Sequence, residues 1–414
     1  MPDNLLGVPG TPQEDLRWVM APAPAARYIK PMLDYDIAVI GAGPVGLAFA
    51  QALRGSGLSV GLFERAPETA IAQPAFDGRE IALTHHSQKL MTAFGAGAAL
   101  DHGSPLREAQ VLNGGSPFAL EFTADGPKAG PLGLLVPNHE IRRALHDAVR
   151  ADASAEIHAG TEVTDVSTDP REGRLTLADG RMVRARLIVA ADTRFSASRG
   201  RMGIRDSRLD FGSTMLVARV AHEKPHHGIA TEWFGHGQTV AMLPLAGDVS
   251  SFVLTLKTPQ MARLMEATPE EFAAEATRRT QGRWGRMELV ATRHAYPLVA
   301  VYARRFVGRR FALLGDAAVG MHPVTAHGFN FGLAGAERLA QEIGGDPGDT
   351  AALLRFESRH RRGTFPLFTA TNAIAKLYTD DRAPARLLRG AVMRAGALLA
   401  PVRKAVAAQL MDAR

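Results

Sequence analysis

The sequence predicts an α/β fold: a strand, glycine turn and helix near the start, a β-rich block in the middle, and helices at the end. Three observations predict it. Asp36 to Ile40 is a short, β-branched apolar run that feeds Gly41-Ala42-Gly43-Pro44-Val45-Gly46 and then an alanine-rich helical stretch to Leu53. From Ser213 the pattern changes to a succession of long strands. Far downstream a second apolar run, Arg310 to Leu314, opens into Gly315-Asp316-Ala317-Ala318, so that two distant segments grip one large ligand. A chain of 414 residues exceeds what one hydrophobic core organises, which calls for two domains or one domain with a large insertion.

Each glycine of the first segment has its own reason. Gly41 permits the tight turn out of the strand, Gly43 leaves no Cβ where a pyrophosphate approaches the backbone, and Gly46 lets the helix lie close on the sheet. Phosphates would sit on the helix N-terminus, where unpaired N–H groups and the helix dipole favour an anion. Val60 to Glu64 reads as the second strand, and Glu64 falls near the spacing of about 20 residues at which an acid meets a ribose 2′-hydroxyl. An acid there repels a 2′-phosphate, so the dinucleotide is FAD or NAD. Taken alone, such glycines also serve plain helix–strand packing, and Glu64 a solvated strand end; strand, turn, helix and acid in register favour dinucleotide binding.

The remaining elements follow in order. Phe76 to Leu83 carries Arg79, a candidate cofactor contact, and a helix runs from Ser87 to Phe94. Asn138 is a candidate N-cap for a helix that includes Arg142, a further candidate cofactor contact. Strands at 162–166, 174–177 and 182–190 form a meander, turned at Asp179-Gly180, that ends in Ala191-Asp192-Thr193-Arg194-Phe195-Ser196-Ala197-Ser198-Arg199. The middle block has strands at 214–222, 239–243 and 250–256, two helices between Pro259 and Gln281, and one strand from Met287 to His294.

Composition narrows the chemistry. With no cysteine there is no disulfide, thiolate metal site or Fe–S cluster, so redox chemistry requires a bound organic cofactor. His85-His86 and His226-His227 lack the spacing and nearby carboxylate of a metal site, and no metal is expected. No apolar stretch reaches the ~18 uninterrupted residues of a membrane span. The first 31 residues are rich in proline and alanine and lack the basic start and apolar core of a secretion signal; they read as a disordered extension, with the natural start expected at Met32.

These segments resemble the FAD-dependent aromatic hydroxylases, the group A flavoprotein monooxygenases, and within them the ubiquinone-biosynthesis branch of the UbiH, UbiF and VisC kind. The matching residues are Gly41, Gly43, Gly46 and Glu64-Arg65; Asp192 with Ser196 and Arg199; and Gly315-Asp316 with Pro323, Gly328 and Asn330. Met321 to Asn330 looks like the UbiM variety, the 5-demethoxyubiquinol 5-hydroxylases. The resemblance implies a Rossmann-like FAD-binding fold with an inserted β-sheet substrate domain and C-terminal helices. Its boundaries are a disordered extension at 1–33, FAD-binding parts at 34–205 and 303–345, a substrate domain at 206–302 and a helical region at 346–414. It implies non-covalent FAD, with Asp316 on the ribityl or pyrophosphate part and the backbone from Pro323 to Gly328 facing the flavin's pyrimidine edge. His327 is the candidate acid/base residue. NAD(P)H is the transient reductant, and a flavin C4a-hydroperoxide passes oxygen to the ring of a prenylated phenol. Two positions depart from the family wording: Thr193 stands where glycine usually follows the aspartate, and Ala326-His327-Gly328 replaces Gly-Gln-Gly.

A prenylated substrate lives in a membrane. Residues 381–414 carry seven Lys/Arg against two Asp/Glu, and Leu388, Val392, Leu399, Val402, Val406 and Leu410 recur at near-helical spacing. This tail is expected to touch the inner membrane peripherally, or a multi-enzyme assembly, from the cytoplasm; a terminal helix packed on the protein fits the same pattern. No motif for nucleic acid accompanies the basic charge. The alternatives are a flavin-dependent reductase or dehydrogenase of another lipid, and a non-catalytic prenyl-binding carrier.

Overall fold

The computed structural model describes residues 34–116, 119–123, 130–151, 155–235, 237–325, 327–379, 382 and 389. The extension at 1–33 and, apart from Arg382 and Arg389, the basic tail lie outside the described residues.

Tyr35–Ile40 sits inside an eight-stranded sheet. The order is Val307–Gly308, Phe311–Leu313, Met182–Ala190, Tyr35–Ile40, Val60–Glu64, Ala155–Ala159. Val163–Thr168 and Gly173–Leu177 form the antiparallel meander that leans on the first half of Met182–Ala190. Ile37, Ala38 and Val39 have no exposed surface, because a parallel strand in mid-sheet is covered on both faces and reads as a continuous apolar run. The register matters most at one edge. Ile40 lies opposite Ala190, and Ala190 opposite Leu313, so three parallel strands end side by side. Gly41, Asp192 and Asp316 all leave the sheet from that edge, the crevice where open α/β sheets take their ligands.

A nine-stranded sheet forms the second layer. Its order is Val319–Gly320, His294–Ala303, Asp206–His222, Val249–Lys257, Gln238–Pro244, Ile229–Gly235, Glu108–Asn113, Ala119–Thr123, with Met287–Leu289 on the side of Asp206–His222. Alternation sorts its faces. Leu216, Ala218, Val220, Val240, Met242, Phe252 and Leu254 pack beneath the helices Thr258–Glu266 and Pro269–Arg279. The second of these opens with a reciprocal capping box between Thr268 and Glu271. Met215, Val217, Arg219, His294 and Tyr296 point the other way, toward the segment Phe76 to Glu80.

The structure corrects the sequence reading at three places. The strand expected from Met287 to His294 is two, Met287–Leu289 and His294–Ala303, since the chain turns out at Val290, which is 48% exposed. Asp206–His222 begins well before Thr214, with a bulge between Asp210 and Thr214. Glu108–Asn113 and Ala119–Thr123, not foreseen as strands, extend the second sheet; their mixed polar pattern suits a half-exposed edge. A three-stranded sheet, Glu80–Leu83, Gly133–Pro137 and Ser104–Leu106, lies on neither path. Gly328–Ile343 and Thr350–Thr379 are the last described helices, and among the described residues no helix is long and apolar enough to cross a membrane.

Candidate active site

The glycine turn has the geometry its residues imply. Gly41 has φ +101°, and a Cβ there would stand 2.8 Å from the Ala191 carbonyl oxygen. A Cβ at Gly46 would stand 2.0 Å from the Gly41 carbonyl oxygen, so the helix Pro44–Ala52 rests directly on the turn. At Gly43, the N-cap, a Cβ would meet nothing within 4 Å, and no side chain caps the helix. This open helix N-terminus leaves N–H groups and the helix dipole available to an anion.

Around it stand the other residues named from the sequence. Glu64 accepts from the Ala42 N–H at 3.0 Å and the Ala66 N–H at 2.9 Å, one on each carboxylate oxygen, leaving lone pairs for further donors. Arg65 is exposed. Arg79 donates to Asp77 through Nε at 3.1 Å and Nη2 at 2.6 Å and lies over the Tyr296 ring. Burial would push the Asp77 carboxyl up, but Arg79 and Asn138 outweigh it and hold it below the usual range. Asn138, foreseen as an N-cap, belongs to the helix Asn138–Ala151 and spends its amide on Asp77 at 2.7 Å. Arg142 is half-buried, and its burial lowers the guanidinium's pKa against the opposing pull of Asp77.

The middle and last motifs interlock. Asp192 accepts from the Ser198 N–H at 3.1 Å through Oδ2, while Oδ1 is buried without a partner among the described residues. Thr193, the departure from glycine, keeps a glycine-like φ of +82°, a conformation that costs a β-branched residue about 1–3 kcal/mol. Ser196 caps the helix Ala197–Arg201. Arg199 is buried and ties Ala317 O, Arg194 O and Asp206 together. Asp316 receives Arg194 through Nε at 3.1 Å and Nη2 at 2.7 Å on one oxygen, and Arg194 Nη1 reaches Val299 O in the second sheet.

Pro323 begins a single turn of 3₁₀ helix, and Gly328 begins the helix Gly328–Ile343. His327 is buried at its N-cap, its ring 5.9 Å from that of Phe331. Asn330 locks this helix to the strand Glu80–Leu83: Nδ2 donates to Ala82 O at 2.9 Å, and Oδ1 accepts from the Thr84 N–H at 3.2 Å.

Arg194 and His322 carry no local signal in the sequence, because their roles come from partners the fold brings together: Asp316 is 122 residues from Arg194 in the chain. Burial, and then the Arg194 cation, push His322 down to about 4, so its ring is neutral. Its Nδ1 accepts from the Val324 N–H at 3.2 Å, which puts the proton on Nε2, and Nε2 is buried without an acceptor among the described residues. An orphan acceptor on Asp192, an orphan donor on His322 and an open helix N-terminus fit a large polar cofactor in this crevice.

Comparison with known proteins agrees. The family model for an FAD binding domain matches residues 34–357. The ubiquinone hydroxylase UbiM of Neisseria meningitidis is 44% identical over 390 residues, 91% of this chain and 85% of that protein. The ubiquinone hydroxylase UbiL of Rhodospirillum rubrum is 36% identical over 374 residues, 88% and 87% of the two chains. Among solved structures, p-nitrophenol 4-monooxygenase PnpA from Pseudomonas putida superposes with TM-score 0.74 at 17% identity, covering 92% of this chain and 98% of that one. Its match shows the shared fold, which extends through both large sheets. Crevice, family model and relatives converge: the chain belongs to the FAD-dependent monooxygenases, in their ubiquinone hydroxylase branch.

Proposed function

We propose that this protein hydroxylates the aromatic ring of a polyprenylated phenol on the way to ubiquinone, with O₂ as co-substrate and NAD(P)H as transient electron donor. The observation that carries the reading is the extent of the relatedness to the UbiM hydroxylase, which takes in the wall of the second sheet as well as the cofactor crevice.

When bound, FAD supplies the redox and oxygen-transfer chemistry. The chain's part is to hold and orient it. Glu64 takes the ribose hydroxyls on its free lone pairs, and the N–H groups of Gly43, Val45 and Gly46 at the helix start take the pyrophosphate. Arg65, Arg79 and Arg142 supply positive charge along this run. Asp192 and Asp316 accept hydrogen bonds from the cofactor's hydroxyls, with Arg194 fixing the Asp316 carboxylate in place. The turn Pro323–Thr325 and the helix start at Gly328 would lie beside the flavin ring, where helix-start N–H groups would stabilise negative charge. His327 is the acid/base candidate beside it, and Asn330 pins the helix start that carries these groups. A peripheral membrane contact through 381–414 suits a long-tailed substrate; Arg389 is buried, so its charge does not contribute to that face.

The test is genetic. Expressed in strains lacking each ring hydroxylase in turn, the protein restores ubiquinone in at least one, and mass analysis of the quinone intermediates identifies the ring position. Failure to restore any of them, with the flavin-loaded protein present in the cells, overturns the reading.

A further inference from the structure

Glu232 is the one carboxylate on the crevice-facing side of the strand Ile229–Gly235, and the two strands beside it explain how it is placed. It lies opposite Ala241 on Gln238–Pro244 and opposite Val111 on Glu108–Asn113. Its neighbours on the same face are Ala230 and Phe234, two residues away on either side. Ala230 packs into a cluster with Leu132 and Leu135 of the small sheet region. Phe234 packs against Val324, in the turn after Pro323, and against Leu377 of the last described helix. Glu232 therefore faces the gap between those two contacts, beside the segment proposed to hold the flavin ring. The opposite face of the strand is accounted for: Thr231 bonds Gln110, and Trp233 bonds Gly114 O.

Within this setting Glu232 has no hydrogen-bond or ion-pair partner among the described residues, yet its side chain keeps part of its surface accessible. Enclosure by protein, with no countercharge, raises the carboxyl to about 8, so at neutral pH it carries its proton. A carboxyl left unpaired in an apolar wall costs stability, and such costs persist where a ligand completes the hydrogen bond. A neutral carboxyl both donates and accepts, which matches a phenolic hydroxyl.

We propose that Glu232 contacts the substrate: from the wall of the second sheet its carboxyl hydrogen-bonds the ring hydroxyl and so sets which ring carbon is presented for oxygenation. This rests on the reading of the substrate as a prenylated phenol. Because the contact is made in the ground state, it is measurable without turnover.

The experiment titrates the oxidised, FAD-loaded enzyme with 2-prenylphenol and with its methyl ether, following the flavin absorbance, in the wild type, Glu232→Leu and Glu232→Gln. The wild type holds the phenol more tightly than the ether. Glu232→Leu loses about tenfold of that preference, the usual weight of one buried hydrogen bond, while Glu232→Gln, which still donates and accepts, retains most of it. Under turnover, Glu232→Leu spreads hydroxylation over more than one ring position. Its melting temperature is equal to or above that of the wild type, since no partner in the fold is lost. Glu232→Ala repeats the titration with a shorter side chain in the event that leucine overfills the wall. An unchanged phenol-to-ether preference in both apolar variants overturns the assignment, and so does a lowered melting temperature in both, which would reveal a structural partner. A wild type that distinguishes neither ligand overturns the phenol reading, and the assignment with it.

Discussion

Gly43 and Gly46 stand in one turn and exclude side chains for opposite reasons. At Gly46 the obstacle is the chain itself, the Gly41 carbonyl oxygen 2.0 Å from where a Cβ would be. At Gly43 the chain leaves the space open, and the backbone, at φ −70° and ψ 176°, is extended and tolerates any residue. On the proposed binding mode, a side chain there would meet only the cofactor. Gly43→Val is therefore expected to purify folded, with unchanged far-UV circular dichroism, but without the yellow colour; flavin released per chain on denaturation is the measurement. Wild-type flavin content in this variant would show that the pyrophosphate runs elsewhere. Thr193 teaches a complementary point, since a motif can lose its glycine and keep the glycine's backbone, with neighbours such as buried Arg199 supplying the constraint.

Between elements, one tie of the second sheet to the crevice is ionic. Arg219 donates to Glu80 through Nε at 2.9 Å and Nη2 at 2.6 Å, both on Oε1, and lies over the Phe76 ring. Burial raises the Glu80 carboxyl in spite of Arg219, and Oε2 has no partner among the described residues. Removing the guanidinium leaves that burial unopposed. Arg219→Met is expected to lose about 3 kcal/mol of stability in urea unfolding, with part of the loss recovered by adding Glu80→Gln. Equal stability of the single and double variants would show that the pair carries no coupling. Elements of this kind mark the limit of what a sequence discloses. Tyr35–Ile40 and Met182–Ala190 are legible because their second halves, Ile37 to Ile40 and Leu187 to Ala190, are buried on both faces and read as unbroken apolar runs. Glu108–Asn113 is not, because its place in the sheet is decided by pairing with Ile229–Gly235, a partner more than a hundred residues away. The site divides in the same way. Gly41, Gly43 and Gly46 announce a local conformation, whereas Arg194, His322 and Glu232 acquire meaning only from what the fold brings opposite them.

At the scale of the molecule, the long helix Thr350–Thr379 closes on Gly328–Ile343 through a buried histidine. His360 lies between the rings of Phe306 and Phe356, against Gly335, with Nδ1 3.1 Å from Arg338 Nη1. Burial, and then the Arg338 cation, push it from 6.5 down to about 3. The folded state thus requires the neutral ring. The stability it contributes is present above the ordinary 6.5 and is lost as pH falls toward 3, because the unfolded chain takes up the proton first. Urea midpoints measured between about pH 7 and pH 4 should fall more steeply for the wild type than for His360→Gln, and parallel slopes would show that this ring does not drive the acid sensitivity. One further consequence follows from the edge where Ile40, Ala190 and Leu313 end together. On the ribosome the glycine turn is made early and Asp316 late, so the nascent chain carries half a clasp through most of its translation. Until Phe311–Leu313 emerges, the second half of Met182–Ala190 has an unfilled, apolar edge. Cofactor capture between both halves of the crevice is therefore a late event in the life of each molecule.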